Sequence, residues 1–166
     1  MNRSTILALI LAALALVYFR KPIVSEVKKL TRGIRNHNPG NIERTSIRWQ
    51  GMSADQSGDP RFVVFDSAEY GVRALARVLQ NYANQGRITV RAIIERWAPP
   101  SVNGRVENDT GAYVNAVAAA LNVNPDSPIN VGSALPDLVR AIIRHENGFN
   151  PYSDHTINAG VRMALV

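Results

Sequence analysis

Residues 135–147, LPDLVRAIIRHEN, decide the fold that the sequence predicts. Their apolar residues recur every three or four positions, which is the spacing of one face of an α-helix. These residues are Leu135, Leu138, Val139, Ile142 and Ile143. Glu146 follows at the end of the same face and is its only carboxylate, and Gly148 stands where a helix commonly ends. The stretch therefore predicts a buried helix with one carboxyl group at its end.

Glu146 is a candidate catalytic residue because of its place on this apolar face. Burial removes water from a carboxyl group and favours the protonated form, which a general acid for glycoside cleavage needs. The structural alternative is that the helix frays at this point and that Glu146 turns to solvent or pairs with a nearby arginine. The spacing by itself leaves both interpretations open.

Four further helices are predicted from the same apolar spacing and from polar residues typical of helix starts. Pro99 and Pro100 are expected to stop one of them. The four run from about residue 66 to 82, from Thr89 to Trp97, from Asp109 or Thr110 to Leu121, and from Thr156 to Leu165. The body of the chain is therefore expected to be mainly α-helical.

A short β-region is expected before these helices. Residues 47–49 (IRW) and 61–65 (RFVVF) are rich in β-forming side chains, and a polar loop joins them. Residues 38–41, Asn-Pro-Gly-Asn, are typical of a turn, because proline presets φ and glycine is free to take a positive φ. The predicted fold class is α+β, mainly α, with a small β-region.

The composition excludes several classes of protein. The chain has 166 residues and no cysteine, which excludes a disulfide scaffold, a thiolate zinc site and a cysteine nucleophile. Its three histidines are isolated along the chain, so we expect neither a metal site nor a cofactor. The net charge of +6 comes almost wholly from residues 1–32, because residues 33–166 balance 13 arginines with 12 acids. We therefore expect no specific nucleic-acid partner.

An uncharged apolar segment lies near the start of the chain. Residues 5–19, TILALILAALALVYF, have Arg3 before them and Arg20 and Lys21 after them. A membrane span needs about 20 apolar residues, and flanking Arg and Lys side chains can extend a shorter one. We favour an uncleaved transmembrane helix over a cleaved signal peptide. The expected organisation is a membrane anchor and basic stem over residues 1–32, followed by one domain over residues 33–166.

Residues 141–151, AIIRHENGFNP, resemble the end of the catalytic helix in soluble lytic transglycosylases, where Ala-Ile-Ile leads to Glu-Ser-Gly-Phe-Asn-Pro. Asn147 stands where that motif has serine. Residues 107–117 resemble the family's Glu-Thr-Arg-x-Tyr-Val-x-x-Val segment with one residue inserted, and residues 82–86 resemble its Ala-Tyr-Asn-Ala-Gly segment imperfectly. The resemblance implies that Glu146 is the catalytic acid.

The start of the body resembles a second group of proteins. Residues 38–42, the Trp49-x-Gly51 pair and residues 62–65 are similar to the β-region of lysozyme-like glucosaminidases. In those families the glutamate helix comes first, so the order found here implies a circularly permuted lysozyme-like fold. The whole layout also resembles a family of phage virion proteins with a Gly-Ile-Arg-Asn-x-Asn-Pro-Gly-Asn opening and a closing His-Glu-Asn-Gly.

These resemblances imply a membrane-anchored, virion-associated lytic transglycosylase that cleaves peptidoglycan between N-acetylmuramic acid and N-acetylglucosamine during genome delivery. Its location would be the virion membrane or the bacterial inner membrane. One alternative is a lysozyme-type hydrolase, which needs a second carboxylate. The candidates for it are Glu43, Asp55, Asp59 and Asp66. The other alternative is a structural or assembly protein of a membrane-containing phage, which would bind glycan or other virion proteins without cleavage.

Six residues are candidates for binding the glycan. Side-chain amides suit the acetamido and hydroxyl groups of sugars, and aromatic rings could line a cleft. The amide candidates are Asn36, Asn38, Asn41 and Gln50, and the aromatic candidates are Tyr82 and Tyr113. The structural alternatives are local hydrogen bonds in turns for the amides and core packing for the two tyrosines.

Overall fold

Six α-helices and one two-stranded hairpin form the regular structure of residues 31–102, 105–106 and 109–166, the part of the chain that the computed structural model describes. The chain divides after Thr31 into two units, and the second unit, Arg32–Val166, contains all these elements. In chain order they are α1 (Arg32–Arg35), α2 (Ala68–Asn84), α3 (Val90–Trp97), β1 (Ser101–Val102), β2 (Arg105–Val106), α4 (Thr110–Leu121), α5 (Val131–Asn147) and α6 (Asp154–Ala164). Strands β1 and β2 pair antiparallel.

Most of the longer helices begin where a polar side chain can accept a hydrogen bond from a free N–H group of the first turn. The capping residues of α3, α4, α5 and α6 are Thr89, Asp109, Asn130 and Ser153, in that order. Helix α5 ends at Gly148, whose φ of +78° is the left-handed conformation that glycine adopts readily. The predicted bounds of α3 and α4 and the predicted end of α5 are therefore confirmed.

Helix α5 forms much of the core and contacts α1, α2, α4 and α6. The apolar face predicted from the sequence is fully buried, at Leu135, Leu138, Val139, Ile142 and Ile143. Each such side chain stabilises the fold by about 1.5–3 kcal/mol relative to an exposed one. The helix begins four residues earlier than predicted, at Val131, because Asn130 caps it and Pro136 in its second turn does not interrupt it.

Helix α6 packs closely along α2, and polar bonds fix its end. At Gly160 an added β-carbon would lie 2.5 Å from a side chain of α2, so only glycine allows this approach. Arg73 and Arg77 of α2 donate hydrogen bonds to the carbonyl oxygens of Met163 and Ala164, at 3.2 and 3.0 Å. The last carbonyls of a helix lack partners inside it, so these two arginines cap α6.

The predicted β-region is not found among the described residues. Residues 47–49 and 61–65 form no strand there, and their neighbourhood contains only two isolated bridges. These bridges join Glu43 with Phe62 and Met52 with Phe65. The predicted fold class, an α+β lysozyme-like domain with a small β-region, is therefore wrong. The described fold is helical, with one short hairpin within residues 101–106.

The predicted transmembrane helix falls on a part of the chain that the structure does not describe. Among residues 31–102, 105–106 and 109–166, no helix has the length and apolar character needed to cross a bilayer. The segment 5–19, on which that prediction rested, lies outside the described residues.

Buried side-chain amides take the place of strand pairing between α1 and α2. The amide of Asn38 is fully buried, donates to the carbonyls of Ile42 and Val63, and accepts from the Ile42 N–H, each at 2.9 Å. Gln56 likewise accepts from the Val64 N–H and donates to the Val64 carbonyl. These amides satisfy part of the backbone, and isolated backbone bonds such as that from the Val63 N–H to the Ile42 carbonyl, at 3.0 Å, satisfy other groups.

Asp59 is the buried charge that orders the same segment. One carboxylate oxygen accepts from the backbone N–H groups of Arg61 and Phe62, and the other accepts from the Asn36 amide at 2.9 Å. Burial by itself would raise the pKa of Asp59. The hydrogen bonds from Phe62, Asn36 and Arg61, together with the charge of Arg32, outweigh that effect and hold the pKa below its usual value.

We expect Asp59→Asn to lower the free energy of unfolding by about 1–3 kcal/mol, because the new amide would face the Asn36 amide and leave a buried donor unsatisfied. The contribution of the Asp59 carboxylate to the free energy of unfolding of the wild type should also depend on pH. This contribution is complete above the pKa of an unfolded aspartate, about 3.9, and is lost as the pH falls through the lower pKa of Asp59 in the folded state. Urea unfolding at several pH values measures both effects. Asp66→Asn, at an exposed position, is the control, and an equal loss in both variants would contradict the assignment.

Candidate functional site

Glu146 lies half-buried in the last turn of α5, and its carboxylate accepts three side-chain hydrogen bonds. Oε1 accepts from Trp97 Nε1 and from the Tyr113 hydroxyl, and Oε2 accepts from Asn41 Nδ2, each at 3.0 Å. We call these four residues the Glu146 cluster. Three donors compensate the carboxylate for much of the water that it loses on burial.

Each member of the Glu146 cluster comes from a different part of the fold. Trp97 is the last residue of α3, Tyr113 lies near the start of α4, and Asn41 ends the turn at residues 38–41. Asn41 has a φ of +49°, in the left-handed region that asparagine tolerates better than most residues. Asn41 and Glu146 are 105 positions apart in sequence, so only the tertiary fold brings the cluster together.

Tyr113 is a donor whose protonation state is fixed by its surroundings. Burial, and then the negative charge of Glu146 and the hydrogen bond to it, raise the pKa of the Tyr113 hydroxyl far above its usual value. Tyr113 therefore keeps its proton and donates a hydrogen bond to Glu146 Oε1. The imidazole of His145 stacks on the Tyr113 ring, with 3.5 Å between the ring centroids and 14° between the planes. This stacking restricts the direction in which the hydroxyl points.

Asn147 anchors the turn that contains Asn41. Its side chain is buried, and Nδ2 donates to the carbonyl oxygens of Pro39 at 2.8 Å and of Ile143 at 3.0 Å. The lytic transglycosylase motif has serine at this position. A serine hydroxyl has a single hydrogen to donate and could not make both bonds. The asparagine found here therefore has a structural role beside the cluster.

The structure brings three of the predicted site residues together, namely Glu146, Asn41 and Tyr113. The other four lie elsewhere. Asn36 and Asn38 are buried between α1 and α2, where the Asn36 amide donates to the Asp59 carboxylate and the Asn38 amide donates to backbone carbonyls. Gln50 is exposed, and Tyr82 packs against the main core.

Trp97 is the member of the Glu146 cluster that the sequence did not indicate. From the sequence it is expected only as the end of a predicted helix, and in the structure its ring lies against Gly40 of the turn. A chemical argument could have identified Trp97, because a buried indole N–H needs an acceptor. Glu146, at the end of the predicted helix over residues 135–147, is a carboxylate that can accept this hydrogen bond.

The four candidate second carboxylates are occupied elsewhere or face solvent. Glu43 pairs with Arg61, Asp59 belongs to the network described above, Asp55 accepts from the Ser57 N–H at 2.8 Å, and Asp66 is exposed. Within the described ranges, no group of three or more His, Cys, Asp or Glu side chains is placed to hold a metal ion.

A cavity of about 500 Å³ lies apart from the Glu146 cluster, between the C-terminal half of α2 and the first turn of α5. Its lining includes the polar residues Arg77, Gln80, Asn81 and Asn84 but no member of the cluster. The Glu146 carboxylate therefore does not lie in this cavity. The polar surroundings of the Glu146 carboxylate are its three hydrogen-bond donors.

We expect Tyr113→Phe to lower the free energy of unfolding by about 1–3 kcal/mol, because the variant keeps the ring but removes one donor to a half-buried carboxylate. Tyr152→Phe is the matched control. The Tyr152 hydroxyl is buried and has no hydrogen-bond partner among the described residues, so its loss should cost nothing. Guanidinium unfolding compares the two, and an equal effect would mean that the Tyr113–Glu146 bond adds no stability.

The comparisons with known proteins concern most of the chain. No family model matches it. Protein P5 of Pseudoalteromonas phage PM2 is 36% identical over 140 residues, and the match covers 82% of this chain and 83% of that protein. The expectation of a phage protein is therefore confirmed. Identity of this extent goes far beyond any single motif, and the chain belongs to the family of Protein P5 of phage PM2.

Proposed function

We propose that this chain is a component of a phage virion and serves there as a structural or assembly protein. The observation that supports this most directly is the 36% identity to Protein P5 of phage PM2 over 82% of the chain. The partners would be other proteins of the particle, and the location would be the particle itself. The long-range bonds of the Glu146 cluster fit this function, because they hold separate parts of the domain in one fixed arrangement.

The test compares particles made with the wild-type chain, with Glu146→Gln and with no chain. For a structural or assembly protein we expect the chain at constant copy number in gradient-purified particles, and a loss of particle yield in its absence. Glu146→Gln should then assemble and infect normally, provided that circular dichroism shows it folded. Particles that form and infect normally without the chain would overturn this function.

A second function, cleavage of peptidoglycan, is favoured by the environment of Glu146. We propose it as the alternative: a lytic transglycosylase that acts between N-acetylmuramic acid and N-acetylglucosamine. The supporting observation is that a half-buried carboxyl group meets three polar side chains from separate elements. A transglycosylase needs only one carboxyl group. A hydrolase of the lysozyme type needs a second one, and its four candidates have other partners or face solvent.

In this mechanism Glu146 acts first as acid and then as base. It gives its proton to the glycosidic oxygen while the bond from that oxygen to muramyl C1 breaks. The oxygen of the muramyl C6 hydroxyl then bonds to C1, and the hydroxyl proton passes to Glu146. The acid form is thereby restored, the product is an anhydro sugar, and no water is consumed. Trp97, Tyr113 and Asn41 keep the carboxyl group in position throughout.

Purified peptidoglycan incubated with the full chain tests this alternative by mass analysis of the released fragments. We expect anhydro-muropeptides from wild type and a loss of about 100-fold or more in Glu146→Gln, the usual contribution of a general acid and base. Glu95→Gln is the matched control, because Glu95 is exposed on α3. Reducing-end products would indicate a hydrolase. No release by the folded wild type, or equal release by Glu146→Gln, would rule out this role for Glu146.

A further inference from the structure

The Asn41 side chain leaves one polar atom without a partner beside Glu146. Its Nδ2 donates to Glu146 Oε2 at 3.0 Å, whereas its Oδ1 is buried and has no hydrogen-bond partner among the described residues. A buried carbonyl oxygen without a donor costs free energy, so such an atom calls for a physical explanation. The role of Asn41 must therefore explain its unpartnered Oδ1 as well as the hydrogen bond from its Nδ2 to Glu146.

Asn41 Oδ1 is one of three oxygen atoms that approach the same point beside Gly33. Asn41 Oδ1, Asn147 Oδ1 and the Asn38 carbonyl oxygen all lie 2.7–3.0 Å from the point where a β-carbon of Gly33 would be. Three oxygen atoms face one small volume, and none of them can donate a hydrogen bond to another. An N–H group in place of Asn41 Oδ1 would have two acceptors nearby. The site thus suits the opposite orientation of the same amide.

The two oxygens of Glu146 differ in the partners that they meet. Oε1 accepts from Trp97 Nε1, and an indole N–H can only donate, so a proton on Oε1 would face a donor. Oε2 meets only the amide of Asn41, among the described side chains that bond to Glu146. An amide can present either N–H or C=O after a rotation of half a turn. Oε2 is therefore the oxygen that can bear a proton with its partner satisfied.

We infer that Asn41 is a positioning residue whose amide turns over with the protonation state of Glu146. With ionised Glu146, Nδ2 donates to Oε2, as the structure shows. With protonated Glu146, the Oε2 hydroxyl donates to Asn41 Oδ1, and Nδ2 turns to the oxygens of Asn147 and Asn38. The protonated state thereby gives Asn41 Oδ1 the donor that it lacks in the ionised state. The inference deepens the second proposed function, on which its mechanistic meaning rests, because an acid that becomes a base needs both states.

Among the described residues, the titratable groups that the structure places next to the pair are Tyr113 and His145. Tyr113 bonds to Oε1 and keeps its proton, and His145 stacks on Tyr113. Trp97 and Asn41 do not titrate. A response of Asn41 to pH could therefore arise from Glu146 or from His145, and a His145→Gln variant separates the two sources.

The experiment uses nuclear magnetic resonance of the isotope-labelled full chain. We expect the side-chain amide protons of Asn41 to lack a nuclear Overhauser contact with the Gly33 α-protons when Glu146 is ionised. The contact should appear as the pH falls, with the same midpoint as the Glu146 carboxyl carbon signal. Glu146→Gln should show the contact at neutral pH, because its amide places a donor at the Oε2 position. His145→Gln should leave the response unchanged, and Asn115, exposed on α4, is the control amide.

Two results would overturn the inference. One is an Asn41 amide whose contact with Gly33 stays the same across the Glu146 titration and in Glu146→Gln. The other is a response that disappears in His145→Gln. Neither readout uses enzymatic activity, so a failure of the switch is distinguishable from a failure of peptidoglycan cleavage. If cleavage does occur, Asn41→Gly, which permits the same positive φ, should lower kcat with little change in KM.

Discussion

Three hydrogen bonds to the Glu146 carboxylate are the interaction on which the rest of the site depends. They join the end of α3, the start of α4, the end of α5 and the turn at residues 38–41. A half-buried charge is stable only when its lost hydration is replaced, so each segment is held where its donor is needed. The carboxylate thereby sets the geometry of its neighbours as much as they set its own.

The residues on either side of Glu146 support different halves of this arrangement. His145 stacks on Tyr113, which bonds to Oε1, and Asn147 ties down the turn whose Asn41 bonds to Oε2. Successive side chains of a helix point about 100° apart. The side chains of residues 145–147 therefore reach Tyr113 on one side, the turn at residues 38–41 on the other, and the space between these two segments. A short stretch of one helix therefore organises contacts with two distant segments. This division of labour explains why Asn147 is buried while His145 is exposed.

The helices were predictable from the sequence because they follow from local chemistry. The apolar face of α5, the capping residues Thr89 and Asp109 and the end at Gly148 all act within a few positions of the chain. The segment between α1 and α2 was not predictable, because the β-forming residues 61–65 are held by isolated backbone hydrogen bonds and by the side chains of Asn38, Gln56 and Asp59, without the regular pairing of a strand. For the same reason Asn36 and Asn38 were placed in the site, whereas the Asn36 amide bonds to Asp59 and the Asn38 amide bonds to the backbone. Trp97 was missed since its role depends on an acceptor 49 positions away.

The separation in sequence between Asn41 and Glu146 also governs when the cluster can form. Closing a loop of 105 residues costs more chain entropy than closing the short connections between neighbouring helices, so these bonds are expected to come after the helix contacts. During synthesis, when domains fold as units from the growing chain, the turn at residues 38–41 must wait for α5. The carboxylate therefore meets the donor of that turn only after α5 has been synthesised, and any chemistry that needs the complete cluster begins after that point.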